Sequence, residues 1–158
     1  YKRGYQGPIR FFRGVVHTFK PADVEALTGS IRRDNVSLGG IKSMEDVLVH
    51  EAEDPTPLFF RIPVKALPPG IYNATLILKA STKADGRVID VYILKLPEMS
   101  EVFSEAISGI DFLEAGKWQI FNFNFTVKNP ILVEIEADVT DSTDVYFYSL
   151  RISQIGSV

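Results

Sequence analysis

The segment Lys117 to Val127, KWQIFNFNFTV, is compatible with few folds. Read with a period of two, Phe121, Phe123, Phe125 and Val127 fall on one face, and Ile120, Asn122, Asn124 and Thr126 fall on the other. That alternation specifies a half-buried β-strand, because successive strand side chains point to opposite faces. Three phenylalanines on one face require an apolar layer opposite them, since a buried ring contributes about 2–3 kcal/mol only when something covers it. The rest of the chain has to supply that layer.

At 158 residues the chain is long enough for one domain with a core that needs no staples. With no cysteine, disulfides and thiolate chemistry are excluded. A net charge of −3 gives no basic footprint for nucleic acid. No apolar run approaches the roughly 18 residues of a membrane span, and no signal-peptide pattern is present. The chain starts at Tyr1, not Met, which suggests a piece of a longer protein. Residues 1–14, with four basic residues among glycine, proline and aromatics, are expected to form a linker or edge extension. Residues 15–158 are expected to form the single domain.

The strands expected along that domain are short. They are Val15 to Lys20, Thr28 to Arg33, Val47 to Val49, Leu58 to Val64 with Pro63 marking an edge, Ile71 to Ala80 and Arg87 to Leu96. Further strands follow near Glu98 to Ala106, then the phenylalanine strand, Ile131 to Asp138 and Asp144 to Gln154. Asp85-Gly86 predicts a tight hairpin joining Ile71 to Ala80 with Arg87 to Leu96. Asp34, Asn35 and Gly39-Gly40 predict a loop. In the last strand Val145 and Phe147 share one phase while Leu150 and Ile152 share the other, so Tyr148-Ser149 is expected to be a β-bulge. The whole predicts an all-β antiparallel β-sandwich of about 8 to 10 strands.

Three pieces carry a resemblance: LPPGIYNATLIL at residues 67 to 78, VIDV at 88 to 91, and the closing strands from Lys117 to Ile152. Together they resemble galactose-binding-like β-jelly-rolls, the architecture of many carbohydrate-binding modules. The resemblance implies a non-catalytic domain that binds glycans or packs beside a neighbouring domain of the same polypeptide. It also implies a structural calcium ion held partly by an aspartate of the last strand. Here that place reads Tyr148-Ser149, leaving only the acidic segment Asp23 to Glu25 to offer oxygens.

A sugar site needs flat aromatic faces beside amides and carboxylates. With Tyr72 and the phenylalanines turned inward, the outward set on the central strands is Asn73, Thr75, Asp90, Tyr92, Asn122 and Asn124. Trp118 and Tyr146, near strand ends, are candidates for a loop-end site. The ligand-binding candidates are thus Asp90, Tyr92, Trp118, Asn122 and Tyr146, set against the plain alternative of a solvated sheet face. Asp138, Asp141 and Asp144 offer hard oxygens of the kind calcium prefers, though not at EF-hand spacing, and an acidic surface turn is the alternative. His17 and His50 lack a second ligand at metal spacing and read as core or edge histidines. Acceptor sequons for N-glycosylation stand at Asn35, Asn73 and Asn124. No nucleophile elbow, phosphate loop or metalloprotease helix is present.

These readings converge on a non-enzymatic accessory domain of a surface, secreted or membrane protein, extracellular, with a glycan or a neighbouring domain as partner and no cofactor beyond that calcium. The alternatives are an assembly module of a surface layer or filament, and an accessory domain of a glycosyltransferase or glycoside hydrolase.

Overall fold

The computed structural model describes residues 14–158. The expected linker at residues 1–14 therefore lies almost wholly outside the described residues. Among the described residues eleven strands form two antiparallel sheets: β1 (Val16–Phe19), β2 (Glu25–Ala26), β3 (Ser30–Leu38), β4 (Ile41–His50), β5 (Leu58–Leu67), β6 (Gly70–Ala80), β7 (Arg87–Lys95), β8 (Ser100–Ser108), β9 (Gln119–Val127), β10 (Ile131–Val139) and β11 (Val145–Gly156). The first sheet runs β3-β4-β11-β6-β9, with β1 also paired to β11, and the second runs β2-β5-β10-β7-β8. Among the described residues helix is limited to two 3-10 turns, Pro21–Asp23 and Gly109–Asp111. The architecture is a β-jelly-roll sandwich.

Alternation builds the core. Tyr72, Ala74, Leu76, Leu78 and Ala80 of β6 are all buried, and across from them stand Val133, Ile135 and Ala137 of β10 with Ile89, Val91 and Ile93 of β7. Phe60 of β5 meets Phe147 of β11 across the gap with ring centroids 4.4 Å apart. The phenylalanine strand, β9, turns its rings inward as the pattern requires. Phe125 stacks on Tyr72 at 5.3 Å, Phe123 on Phe103 at 5.5 Å, and Phe121 meets Phe112 edge-on at 5.0 Å. Phe121 and Phe123 are only half-buried because β9 ends its sheet.

Asp85-Gly86 does not close a hairpin. Strands β6 and β7 lie in different sheets, and the chain crosses between them through residues 81–86. Six residues are too many for the two-residue turn that would pair neighbouring strands. Backbone contacts also hold this crossing to other segments, from Ser81 N–H to the Asp144 carbonyl (3.1 Å) and from Gly109 N–H to the Gly86 carbonyl (2.8 Å). The tight hairpin is instead at Gly39-Gly40, where φ values of 58° and 83° give the two left-handed residues that a type I′ turn demands. Asp34 and Asn35, expected in a loop, therefore sit inside β3, and β4 extends to ten residues.

The bulge falls where it was expected. Pairing of β11 with β6 slips between Phe147 and Ser149, so Val145 and Phe147 before it and Leu150 and Ile152 after it all face the core. The same bulge marks a change of partner on the other side of β11. Residues 145–147 pair with β4, whereas residues 150–153 pair with β1. Because β1 occupies the edge beyond the bulge, β4 leaves the sheet at Val47. The β3-β4 hairpin then becomes an arm over the outer face of its own sheet. Val36, Val47 and Val49 pack there against Trp118, forming a second, smaller apolar cluster.

Replacing a ring at the sheet-to-sheet contact leaves a cavity that the packed layers cannot collapse. Phe147→Ala is expected to destabilise the fold by about 3–5 kcal/mol in urea unfolding. Ile110→Ala, at an 80% exposed site, should stay within about 0.5 kcal/mol of the parent chain.

Candidate functional site

The expected ligand-binding residues do not form one site. Asp90 and Tyr92 lie on β7, on the outer face of the second sheet, while Asn122 lies on β9, on the outer face of the first. A β6-β7 hairpin would put them on one face, but the crossing at residues 81–86 places them on opposite sides of the sandwich. Trp118 and Tyr146 do come together, with rings 6.3 Å apart and nearly perpendicular. They are not loop-end platforms, however, because the arm covers them. Trp118 is 9% exposed, and its indole Nε1–H donates to the Asn35 carbonyl at 3.0 Å.

Lys79 is central to this covered cluster. Its ammonium lies 4.2 Å from the centre of the Tyr146 ring and 5.2 Å from that of Trp118, and it pairs with Asp34 of the arm. A charge this enclosed is retained because a carboxylate and two ring faces replace its water. Beside it a pocket of about 270 Å³ opens between the arm tip and the start of β9, lined by Asn35, Ser37, Lys42, Lys79, Lys117 and Trp118.

Beyond the arm, the outer face of the first sheet carries two cross-strand rows in direct register. One is Thr18, Arg151, Thr75 and Asn122; the other is Val16, Ser153, Asn73 and Asn124. Their polar groups are aligned with one another. Asn73 Nδ2 donates to Asn124 Oδ1 at 2.9 Å, and the Thr75 hydroxyl bonds Asn73 Oδ1 at 3.0 Å and Asn122 Oδ1 at 2.9 Å. At about 4.8 Å per strand, each row spans on the order of 14 Å. Ile120, 47% exposed, stands between these rows and the pocket by Trp118 on the same face of β9. Arg151, Ser153 and Thr18 were missed by the sequence reading. The phase change at the Tyr148-Ser149 bulge, which turns Leu150 and Ile152 inward, was the signal that turns Arg151 and Ser153 outward.

The expected metal set does not assemble. Asp144 uses Oδ1 to accept the Ala52 N–H at 2.8 Å, Asp141 is exposed in the loop after β10, and Asp138 lies on the outer face of the second sheet. Among the described residues no group of three or more His, Asp or Glu side chains is arranged to hold a metal ion. The calcium suggested by the jelly-roll resemblance does not fit either. Asp23 accepts the Lys20 backbone N–H, Glu25 pairs with Arg61 at 3.6 Å, and the Tyr148 hydroxyl accepts from the Lys20 ammonium at 3.0 Å. That hydrogen bond raises the Lys20 pKa. A lysine occupies the neighbourhood in which calcium would need six or more oxygens.

His50 is a core residue whose Nε2 donates to the Thr56 carbonyl at 3.0 Å. His17 stacks near Phe19 at 6.1 Å, and desolvation with the nearby Lys65 lowers its pKa. The sequons also fall on this side of the sandwich. Asn35 lies on the arm, and Asn73 and Asn124 face each other in the second row.

Asp138 stands opposite Asp90 in register and beside Glu136. Desolvation, with those two carboxyls adding, raises its pKa to about 7. Since the unfolded value is near 3.8, the folded chain binds the extra proton between these limits. The group's stabilising contribution is therefore complete below about pH 3.8 and is lost as pH rises through 7. Asp138→Asn should be more stable than the parent at pH 8, by on the order of 1 kcal/mol once partial exposure is allowed for, with the difference vanishing near pH 4 in urea titrations. Lifting the arm is readable separately, because Trp118 is the single tryptophan. Val47→Asp should shift its emission to the red while the sandwich stays folded by far-ultraviolet circular dichroism.

No protein-family model matches the chain. No curated protein matches it. Solved structures do. A family 35 carbohydrate-binding module from an environmental isolate superposes with a TM-score of 0.57 at 14% identity, covering 89% of this chain and 94% of the module. The C-terminal CBM6 of a laminarinase from Zobellia galactanivorans superposes at 0.53 and 9%, covering 89% of this chain and 100% of the module. The CBM36-1 domain of a multidomain xylanase from the hindgut metagenome of Trinervitermes trinervoides superposes at 0.51 and 13%, covering 90% and 99%. At these identities the likeness is one of fold, and the fold is the β-jelly-roll seen in these modules.

Proposed function

We propose that the chain is a non-catalytic, glycan-binding accessory domain of a larger extracellular protein, and that it binds along the outer face of β9 from Asn124 to the pocket beside Trp118. The observation that carries this reading is the pair of registered rows. Asn73, Thr75, Asn122 and Asn124 present pre-aligned amides and hydroxyls on a rigid sheet, with Arg151 and Ser153 beside them. Such groups match hydroxyl-rich ligands, and a sheet holds them without an ordering cost at binding. Exposed Ile120 supplies an apolar contact for the C–H faces of a sugar, and Lys42 and Lys117 at the pocket suit an acidic substituent. The fold shared with modules taken from a laminarinase and a multidomain xylanase supports the accessory role and the extracellular setting.

All three sequon asparagines line this face or its pocket, so the reading holds Asn35, Asn73 and Asn124 unmodified wherever ligand is bound. The test is affinity electrophoresis against xylan, laminarin and polygalacturonate, followed by calorimetry on whichever retards the protein. Asn122→Ala and Thr75→Ala should each weaken binding about tenfold, the cost of one or two lost hydrogen bonds. Asp90→Ala, on the opposite face, should leave binding unchanged. Retardation by none of the three polysaccharides, or equal loss from Asp90→Ala, would overturn the assignment.

A further inference from the structure

The sheets end in strands that are protected unequally. Strand β8 carries Glu101 and Glu105, β3 carries Arg32, Arg33 and Asp34, and the open stretch of β5 carries Pro63 and Lys65. Each of these features blocks pairing with another chain. Strand β9, QIFNFNFTV, has nine residues with no charge and no proline, and it ends its sheet. The Gln119 side chain is engaged by its own loop, accepting the Leu113 N–H and donating to the Asp111 carbonyl, so among the described residues the open edge begins at Ile120.

The segment Phe121-Asn122-Phe123-Asn124-Phe125 reads the same in both directions about Phe123. An antiparallel copy centred there places Phe121 opposite Phe125, Asn122 opposite Asn124, and Phe123 opposite itself. Every ring stays on the core side and every amide on the outer side, as the period of two requires. An Asn-to-Asn pair of this kind already exists inside the chain, where Asn73 and Asn124 face each other across β6 and β9 with a 2.9 Å hydrogen bond. A twofold interface needs a self-complementary surface, and this edge is one by sequence.

We infer that β9 pairs antiparallel with β9 of a second copy of this chain, with the twofold axis at Phe123, joining two sheets into one continuous sheet. The rows of amides and hydroxyls then run unbroken from one protomer to the other, doubling the polar face. The inference rests on the edge and its palindrome, not on the glycan reading, and it stands or falls separately.

Sedimentation velocity on the full 158-residue chain, produced without N-glycosylation so that Asn124 at the seam is bare, tests it. The parent chain should show a concentration-dependent shift from 17.7 kDa to twice that mass. In the proposed register N122K/N124K sets lysine against lysine at both flanking pairs, and self-association should weaken at least tenfold. N122K/N124E sets each introduced lysine against an introduced glutamate of the other copy, and dimerisation should return, now salt-sensitive. Thermal melts of both variants confirm that they are folded. A parent chain that stays monomeric up to millimolar concentration would overturn the inference. So would a dimer that N122K/N124K leaves intact, or a folded N122K/N124E that stays monomeric.

Discussion

The two faces of β6 and β9 cannot be exchanged, and the rest of the molecule depends on this. A strand offers its side chains alternately to two surroundings, so committing Tyr72, Leu76 and Phe125 to the core also commits Asn73, Thr75, Asn122 and Asn124 to the outside. Sliding either strand by one residue would bury amides and expose rings, at a cost of several kcal/mol for each unsatisfied polar group. Packing and surface chemistry are therefore set by one register. Hydrogen bonds along the rows add to it, since Asn73 reaches Asn124 and Thr75 reaches Asn122 only when β6 and β9 are aligned as they are.

A second constraint acts on β11, which has two partners along one edge. Strand β4 holds residues 145–147 and β1 holds residues 150–153, with the bulge at the exchange. Two strands cannot share one set of backbone hydrogen bonds, so the remainder of the β3-β4 hairpin leaves the sheet. It remains ordered because its apolar residues meet the exposed aromatic end of the same face. This explains why Val36 and Val47 are buried although they lie outside the main core, and why Trp118 and Tyr146 are not a platform open to solvent. The arm divides the outer face into a covered aromatic end, bound through Lys79 and Asp34, and an open amide end.

Much of the sandwich was legible from alternation alone. The inward rings of β9, the strands around Tyr72 and Ile135, and the bulge at Tyr148-Ser149 all follow from counting by two. Connectivity between sheets was not legible. Asp85-Gly86 carries the local chemistry of a hairpin turn, yet whether consecutive strands pair or cross depends on contacts from Asp144 and Gly109, far away in sequence. That error moved Asp90 and Tyr92 onto the wrong face. Gly39-Gly40 was underread in the same way, because Asp34 and Asn35 resemble loop residues until the ion pair to Lys79 and the bond to Trp118 show why they lie in a strand. The aspartates at 138, 141 and 144 are close in sequence but alternate between strand face and loop, so proximity along the chain did not become convergence in space.

The proposed glycan site lies on the outer face of the β6-β9 pair and leaves the opposite sheet free. The most direct measurement is a nitrogen–proton correlation titration with xylo- and laminari-oligosaccharides, following the side-chain amide signals of Asn73, Asn122 and Asn124 and the Trp118 indole. Binding there should move these signals together, saturating at one ligand concentration, while the backbone amides of Asp90 and Tyr92 stay in place. Shifts confined to Asp90, Tyr92 and their neighbours on the second sheet would contradict it.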